Sequence, residues 1–298
     1  MDMGRERLTT PATINARGRR LRFHERTLVM GILNVTPDSF SGDGVADDVD
    51  AAVQRGFEMV AQGADIIDVG GESTRPHSTA ITAEEEIRRV LPVVQELTPQ
   101  TSLPVSIDTR KAAVAAAAIE AGAAIVNDIW GLRGDPEMAA VVAAHSDVAV
   151  VVMHNQRDPH YTDLLATVVD ALRESIDIAE QRGIAPDRIL VDPGFGFAKT
   201  PAHNLELMRR LPELAVLQRP VVVGPSRKST IGMLTDGAPP DDRLEGSLAL
   251  AVLAAAAGAH VIRVHDVAST VRALRVADAV VRRTPEFLRE AAVPGPTG

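Results

Sequence analysis

Apolar runs alternate with longer helical stretches along nearly the whole chain, from residue 28 to about residue 283. The apolar runs are short and rich in Val, Ile and Leu, which is typical of strands that are buried on both faces. They predict eight strands, at residues 28–33, 65–69, 104–107, 124–126, 148–153, 188–191, 220–224 and 260–264.

Helical periodicity lies between these runs and predicts helices that include residues 83–97, 111–121, 162–182 and 244–257. A glycine stands at several of the turns from helix to strand, where it supplies the left-handed cap of the helix: Gly63, Gly122, Gly183 and Gly258. Eight strand–helix units with continuous apolar strands predict an α/β fold in which a parallel sheet closes into a (β/α)8 barrel. An open, doubly wound sheet is the alternative topology.

The two ends of the chain differ from this repeating pattern. Residues 1–27 precede the barrel, and residues 14–21 within them predict a small hairpin that plugs the barrel bottom. Residues 28–284 form the predicted catalytic barrel. Residues 285–298 form a tail whose last part is rich in Pro and Gly, which predicts partial disorder.

Composition narrows the class of protein. The length of 298 residues, with 45% hydrophobic residues, suits one large globular domain. A net charge of −9 without a basic stripe argues against a nucleic-acid partner. No apolar stretch approaches the ~20 residues of a membrane span, so we expect a soluble cytoplasmic protein without a membrane partner. The absence of cysteine excludes disulfides and thiol chemistry.

Polar residues follow every predicted strand. In a parallel barrel the carboxyl ends of the strands meet at one face, where such barrels carry their chemistry. The polar segments cover residues 34–38, 70–76, 108–109, 127–128, 154–155, 192–197, 226–229 and 263–266. We therefore expect these segments to line one site.

Taken singly, several of these residues have a simpler structural interpretation. Asp108 precedes a predicted helix, and an N-cap is its favoured interpretation. Asn127 and Asp128 are typical of a turn, and a lone His154 is more often a neutral histidine with hydrogen-bond partners than a ligand. Asp192 differs, because the Pro- and Gly-rich residues after it delay the next helix to about residue 201. We expect no local donor for its carboxylate.

The polar residues are more informative as a group. Asp108, Asn127 and Asp192 suit a planar heterocycle with fixed donors and acceptors, because carboxylate and amide groups match ring N–H and amino groups. Cationic residues lie on the other side of the predicted mouth, where late barrel loops commonly bind phosphate: Arg75, Lys228, Arg263 and His265. The group therefore predicts a site for a heterocycle that carries phosphate.

Lysine is scarce in this chain and its distribution is informative. Of 31 basic residues, the lysines are Lys111, Lys199 and Lys228, and each belongs to a segment with polar motif residues. Because ammonium and guanidinium groups differ in shape and hydration, this indicates that a compact cation is needed at these positions.

Six strings of this sequence, in order, match those of dihydropteroate synthases. They are MGILNVTPDSFS at residue 30, DVGGESTRP at 68, SIDT at 106, DPGFGFAKT at 192, SRKS at 226 and RVHDV at 263. The chain resembles this family of pterin-binding TIM-barrel enzymes from about residue 29 to residue 274.

The resemblance implies a role for each site residue. The pterin contacts would be Asp108, Asn127, Met153, Asp192 and Lys228. The pyrophosphate contacts would be Asn34, Arg75, Arg263 and His265, with Mg²⁺ on the pyrophosphate and on Asn34. The p-aminobenzoate contacts would be Thr74, Arg75, Phe197, Lys228 and Ser229. The catalytic groups would be Asp108, Asp192, Lys228, Arg263 and His265.

The resemblance also implies a reaction. A transferase of this kind joins a dihydropterin pyrophosphate to p-aminobenzoate in folate synthesis, with loops at residues 38–44 and 73–77 closing over the site, and works as a homodimer. A methyltetrahydrofolate:corrinoid methyltransferase is one alternative, although it has no pyrophosphate to bind and so no need for the cationic residues at 226–229 and 263–265. A catalytically silent pterin-binding paralogue is the other.

Overall fold

The protein forms a parallel barrel preceded by a hairpin. The structure is a computed structural model that describes residues 10–35, 45–72 and 80–282. The hairpin strands are β1 (Thr13–Ala16) and β2 (Arg19–Arg22). The barrel strands are β3 (Leu28–Asn34), β4 (Ile66–Gly70), β5 (Val105–Asp108), β6 (Ile125–Asp128), β7 (Ala149–Met153), β8 (Ile189–Asp192), β9 (Val222–Val223) and β10 (Val261–Val264). All eight predicted barrel strands are confirmed.

Helices follow the strands around the outside of the barrel. They are α1 (Val45–Ala61), α2 (Ala83–Gln100), α3 (Ala112–Glu120), α4 (Met138–Ala143), α5 (Leu164–Gln181), α6 (Pro201–Arg209), α7 (Ser229–Leu234), α8 (Leu244–Ala256) and α9 (Val267–Val281). The four helices named from the sequence are confirmed with small shifts at their ends. The four cap glycines all have positive φ, between 90° and 108°, as predicted.

The sheet closes on itself. Strand β3 pairs in parallel with β4 on one side and with β10 on the other, and the order continues to β8 and β9 at the two ends. These two ends meet in a parallel bridge between Val191 and Val221, where the Val191 N–H donates to the Pro220 carbonyl over 3.0 Å. The open-sheet alternative is therefore wrong.

Five barrel strands, β3, β4, β5, β6 and β8, run one or two residues further at their carboxyl ends than the apolar pattern predicted. Asn34, Asp108, Asp128 and Asp192 are the last residues of their strands rather than the first residues of loops. Because side chains alternate across a strand, the pleat of the barrel fixes the direction in which each of these polar groups points.

The predicted hairpin is present, and its apolar side chains pack into the amino-terminal end of the barrel. Arg17 and Gly18 both have positive φ, 50° and 75°, which is the backbone of a two-residue type I′ turn. Ile14 and Phe23 are fully buried and belong to one apolar cluster with barrel residues such as Leu28. The hairpin therefore closes the barrel bottom.

Two arginines tie this hairpin to the helices. The Arg19 guanidinium donates to the carbonyls of Thr98 and Thr101 at 3.0 Å each, at the carboxyl end of α2. Arg17 Nη1 donates to the Ile119 carbonyl of α3 at 2.8 Å. The last carbonyls of a helix lack the regular intrahelical partner and lie at its negative end, so these cations add favourable hydrogen bonds there.

No helix of the described ranges is long and apolar enough to cross a membrane. The division into residues 1–27, 28–284 and 285–298 stays a prediction, and the tail lies outside the described residues.

The hairpin makes a testable contribution to stability. Phe23→Ala should lower the free energy of unfolding by about 3–5 kcal/mol, because it leaves a cavity beneath the barrel. Val216, which is 52% exposed, is the control: Val216→Ala should change the value by less than about 0.5 kcal/mol. Denaturant unfolding measures both, and equal losses would show that the hairpin is not part of the core.

Candidate active site

A buried ion-pair group lies at the centre of the barrel mouth. Arg263 Nε donates to Asp68 Oδ2 over 2.6 Å, and Arg263 Nη2 donates to Asp108 Oδ2 over 2.5 Å. Asn127 Nδ2 also donates to Asp68 Oδ2, over 3.0 Å. Asp68 is fully buried, so it forms the floor of the site.

Asp68 was not singled out as a site residue from the sequence. It stands inside an apolar strand, one residue from the strand's last valine, and no polar segment marks it. The available signal was the carboxylate itself, because a charged group in a strand that is buried on both faces needs a partner. That partner is Arg263 on β10, which is separated from the strand of Asp68, β4, by β3 alone.

Asp108 does not cap a helix, so that interpretation is wrong. Helix α3 begins at Ala112, and the Ala112 N–H donates instead to Asp135 Oδ2 over 2.8 Å. The carboxylate of Asp108 points into the barrel toward Arg263. Burial raises the pKa of Asp108 to about 7, although Arg263 opposes the shift.

Asp192 has a local donor, contrary to the prediction. The Gly194 N–H donates to Asp192 Oδ1 over 2.7 Å, because Gly194 adopts a positive φ of 72° and turns the chain back. This leaves Oδ2 as the oxygen available to a ligand. Burial raises the pKa of Asp192 to about 6. The next helix does begin at Pro201, as predicted.

Lys228 lies between the acidic residues and an aromatic ring. Its Nζ is 4.0 Å from the ring centroid of Phe197, which is cation–π geometry. Burial lowers its pKa to about 8, with Arg263 acting in the same direction and Asp192 opposing. Ser229 is exposed at the start of α7, and Met153 ends β7 in register with Asp192.

Ser226 fixes the imidazole of His265. The His265 backbone N–H donates to Ser226 Oγ over 3.2 Å, and Ser226 Oγ lies 3.0 Å from His265 Nδ1. The buried hydroxyl hydrogen needs an acceptor, and Nδ1 is the acceptor within reach among the described residues. Because burial, with Arg263 next, lowers the pKa of His265 to about 3, the ring is neutral and its proton lies on Nε2.

The remaining interpretations from the sequence have different outcomes in the structure. Asp128 does close a turn, since its carboxylate accepts from the N–H groups of Trp130 at 2.8 Å and Leu132 at 2.7 Å. Asn127 points instead into the site. His154 is a buried neutral histidine, as predicted: burial and the neighbouring Lys199 lower its pKa to about 3.

Asn34 ends β3 at the rim of the mouth. A Cβ on Gly70 would lie 3.7 Å from Asp108 Oδ2 and 3.9 Å from Asn34 Oδ1, so this glycine keeps the space between the two side chains open. Within residues 10–35, 45–72 and 80–282 no group of three or more His, Asp or Glu side chains could hold a metal ion. Thr74 and Arg75, together with the predicted closing loops, lie outside the described residues.

The tautomer of His265 can be measured directly. In ¹⁵N-labelled protein we expect Nε2 to carry the proton at neutral pH, and Ser226→Ala should shift part of the population to the Nδ1–H form. Ser247→Ala is the matched control, because Ser247 Oγ accepts from the Arg227 N–H in the same loop without touching the ring. An unchanged tautomer in Ser226→Ala would contradict the assignment.

Comparison with known proteins gives a consistent result. Residues 30–265 match the family model described as pterin binding enzyme. The dihydropteroate synthase of Bacillus subtilis is 43% identical over 281 residues, which cover 94% of this chain and 98% of that protein. That of Escherichia coli is 46% identical over 260 residues, which cover 85% and 91%.

Solved structures agree in fold as well as in sequence. The Xanthomonas albilineans dihydropteroate synthase with 4-aminobenzoic acid has a TM-score of 0.87 at 49% identity, over 91% of this chain and 98% of that one. The same enzyme in complex with 7,8-dihydropteroate has a TM-score of 0.81 at 44% identity, with the same coverage. These matches span the barrel and its polar mouth, and the chain therefore belongs to the dihydropteroate synthases of the pterin-binding enzyme family.

Proposed function

We propose that the protein is the transferase that condenses 6-hydroxymethyl-7,8-dihydropterin pyrophosphate with p-aminobenzoate, giving 7,8-dihydropteroate and pyrophosphate in folate biosynthesis. The observation that carries this proposal is the convergence of Asp108, Asp192, Lys228 and Arg263 at the carboxyl ends of the strands. Relatives solved with 4-aminobenzoic acid and with 7,8-dihydropteroate support the same substrate and product here.

The pterin occupies the acidic side of the mouth. Asn127 donates its amide hydrogen to Asp68, which turns its Oδ1 toward the site as an acceptor. Asp192 Oδ1 is held by Gly194, so Oδ2 is the second acceptor. Two acceptors suit the amino and ring N–H groups of a pterin. Met153, which is buried, supplies an apolar neighbour for the ring.

The pyrophosphate occupies the side formed by β3 and β10. The neutral His265 offers Nε2–H, and Arg263 still has Nη1 beyond the two nitrogens bonded to Asp68 and Asp108. We assign Asn34 and Arg75 to the same anion. Asn34 Oδ1 is one oxygen donor, which suits Mg²⁺ because this ion takes few protein ligands alongside phosphate oxygens. Mg²⁺ would neutralise negative charge on the leaving pyrophosphate.

The chemistry is a dissociative substitution at the pterin methylene. As the carbon–oxygen bond to pyrophosphate breaks, positive charge spreads over the dihydropterin, and the carboxylates of Asp108 and Asp192 stabilise it. Arg263 and His265 stabilise the departing anion. Fixed groups of this kind act without reorganisation when charge separates.

p-Aminobenzoate attacks from the side of Phe197, Lys228 and Ser229, and the assignment of Thr74 and Arg75 to the same substrate stays a prediction from the sequence. Its amine is already a competent nucleophile at neutral pH, so no strong general base is needed. The amine forms the new carbon–nitrogen bond and afterwards loses its extra proton to solvent. The Phe197 ring and the Lys228 ammonium offer an aromatic face and a positive charge to a benzoate.

The alternatives have less support. The related proteins that span 85% and 94% of the chain are dihydropteroate synthases, which argues against a corrinoid methyltransferase. A silent paralogue is tested by activity. The cytoplasmic location and the absence of nucleic-acid partners stay predictions from the sequence.

The proposal is tested by pyrophosphate release. We expect release that requires both substrates and Mg²⁺, and that Asp192→Asn, which replaces an acceptor by a donor, weakens pterin binding by about 1–3 kcal/mol. The same change at Asp170, which is exposed on α5, is the control and should leave affinity unaltered. Release without p-aminobenzoate, or none with both substrates, would refute the proposed reaction.

Stability separates this effect from misfolding. Burial raises the pKa of Asp192 from 3.8 to about 6, so this group favours the folded state below pH 3.8 and that contribution is lost as pH rises through about 6. The amide does not titrate and can keep the Gly194 bond. At pH 8 Asp192→Asn should therefore be at least as stable as the wild type in urea unfolding, whereas a misfolded variant would be less stable.

We also propose a homodimer through the late helices. Apolar side chains on α7, α8 and α9 are exposed: Met233 (69%), Leu234 (62%), Leu253 (58%), Val276 (67%) and Val280 (80%). Monomers seldom expose so many large apolar residues on neighbouring helices, of which α8 and α9 pack together.

Sedimentation velocity tests the dimer. Val276→Glu should shift the protein from dimer to monomer, because it places a charge in an apolar interface. Val216→Glu, at an exposed valine outside these helices, should not. A monomeric wild type at micromolar concentration would rule the dimer out.

A further inference from the structure

The segment that carries Phe197 has an unusual backbone. We call residues 193–199 the Phe197 loop. Gly194, Gly196 and Ala198 have positive φ of 72°, 81° and 45°. An alanine in this region costs roughly 1 kcal/mol, so other contacts must hold the loop in place.

The loop is also packed tightly. A Cβ on Gly194 would lie 2.0 Å from the His154 carbonyl oxygen, and one on Gly196 would lie 2.8 Å from Lys228 Cδ. The loop therefore passes directly between the end of β7 and the Lys228 side chain. Small shifts of its backbone would move the Phe197 ring relative to Lys228.

The Lys199 ammonium lies against the backbone of this loop. Its Nζ is 2.9 Å from His154 Nδ1, and 3.1 Å from both the Gly194 and the Phe197 carbonyl oxygens. Burial lowers the pKa of Lys199 to about 7, with Asp192 opposing. In its protonated form the group has three N–H donors, and here each has an acceptor. Tyr161 adds a fourth tether, since its hydroxyl donates to the Ala198 carbonyl over 2.9 Å.

His154 is a fixed acceptor rather than a proton carrier. It is 1% exposed and follows β7 directly, so the barrel holds its position. Because the ring is neutral and Nδ1 accepts from Lys199, its proton lies on Nε2. Lys199 thus links the loop to a strand of the barrel.

We propose that Lys199 is a positioning residue for p-aminobenzoate: by holding the carbonyls of Gly194 and Phe197 against His154, it fixes the Phe197 ring beside Lys228. This inference rests on the proposed function, which places p-aminobenzoate at Phe197. Lys199 acts through the loop and not on the pterin side. A guanidinium directs its donors within one plane, so we expect that arginine cannot replace Lys199 here.

The first test compares the effect of one substitution on the KM values for the two substrates. Lys199→Met keeps an unbranched apolar side chain and removes all three donors, so the KM for p-aminobenzoate should rise about tenfold, while the KM for the pterin pyrophosphate changes less than about twofold. Thr200→Ala is the matched control. It removes the N-cap of α6 next to the loop, so it should lower the unfolding midpoint without this difference between the two KM values.

The second test restores the cation chemically. The chain contains no cysteine, so Lys199→Cys introduces a single thiol. Alkylation with bromoethylamine in denaturant, followed by refolding, regenerates an ammonium of nearly the same length, whereas iodoacetamide gives a neutral side chain. We expect the aminoethyl protein to recover the low KM for p-aminobenzoate and the carbamidomethyl protein not to. Wild-type protein taken through the same cycle controls for refolding.

Two further variants separate the possible failures. If Phe197→Ala leaves the KM for p-aminobenzoate unchanged, the proposed place of that substrate is wrong. If Phe197→Ala raises this KM while Lys199→Met does not, or if the two alkylated proteins behave alike, the positioning role is overturned. Should Lys199→Met not fold, Tyr161→Phe weakens the same loop by one hydrogen bond and should raise this KM about twofold, with no change as the contrary result.

Discussion

The site depends on one buried cation held between two carboxylates. Arg263 is bonded to Asp68 and to Asp108, and the same Asp68 oxygen orients the amide of Asn127. Transfer of these charges from water is costly, and only their mutual bonds compensate. Removing the guanidinium would leave two buried carboxylates without the cation to which both are bonded, a change that typically costs about 3–5 kcal/mol. Any Arg263 variant therefore perturbs the proposed pterin side together with the proposed pyrophosphate side.

The three lysines lie where several carbonyls, carboxylates or rings surround one ammonium group. Lys111 Nζ lies 2.5 Å from both Glu72 Oε2 and Glu86 Oε2, which joins the end of β4 to α2. Lys199 Nζ contacts two carbonyl oxygens and an imidazole nitrogen. Lys228 lies between a phenyl ring and the acidic residues. Each is surrounded on several sides, which suits a tetrahedral ammonium better than a planar fork. The scarcity of lysine in the sequence is consistent with these demands.

The barrel was predictable because its signal repeats. Eight apolar runs with intervening helical periodicity are compatible with few fold topologies. The glycine that follows a helix is explained by the left-handed backbone of the cap. The site was predictable in part: Asp108, Asn127, Asp192, Lys228 and Arg263 do converge. What sequence could not give were contacts between residues far apart in the chain. The pairing of Asp68 with Arg263 spans 195 positions. The Gly194 bond to Asp192 depends on a positive φ that two glycines in a loop permit but do not dictate.

Burial brings the pKa values of three groups of the site close to neutral pH. It raises the pKa of Asp108 to about 7 and that of Asp192 to about 6, and it lowers that of Lys228 to about 8. Each tenfold change in an acid dissociation constant corresponds to about 1.4 kcal/mol of difference between the two protonation states. Groups with pKa values near neutral pH change their protonation state when a charge comes close, and a positive pterin would favour the ionised carboxylates. The desolvation that destabilises the empty fold is thus the same property that would strengthen its interaction with the cation of the proposed reaction.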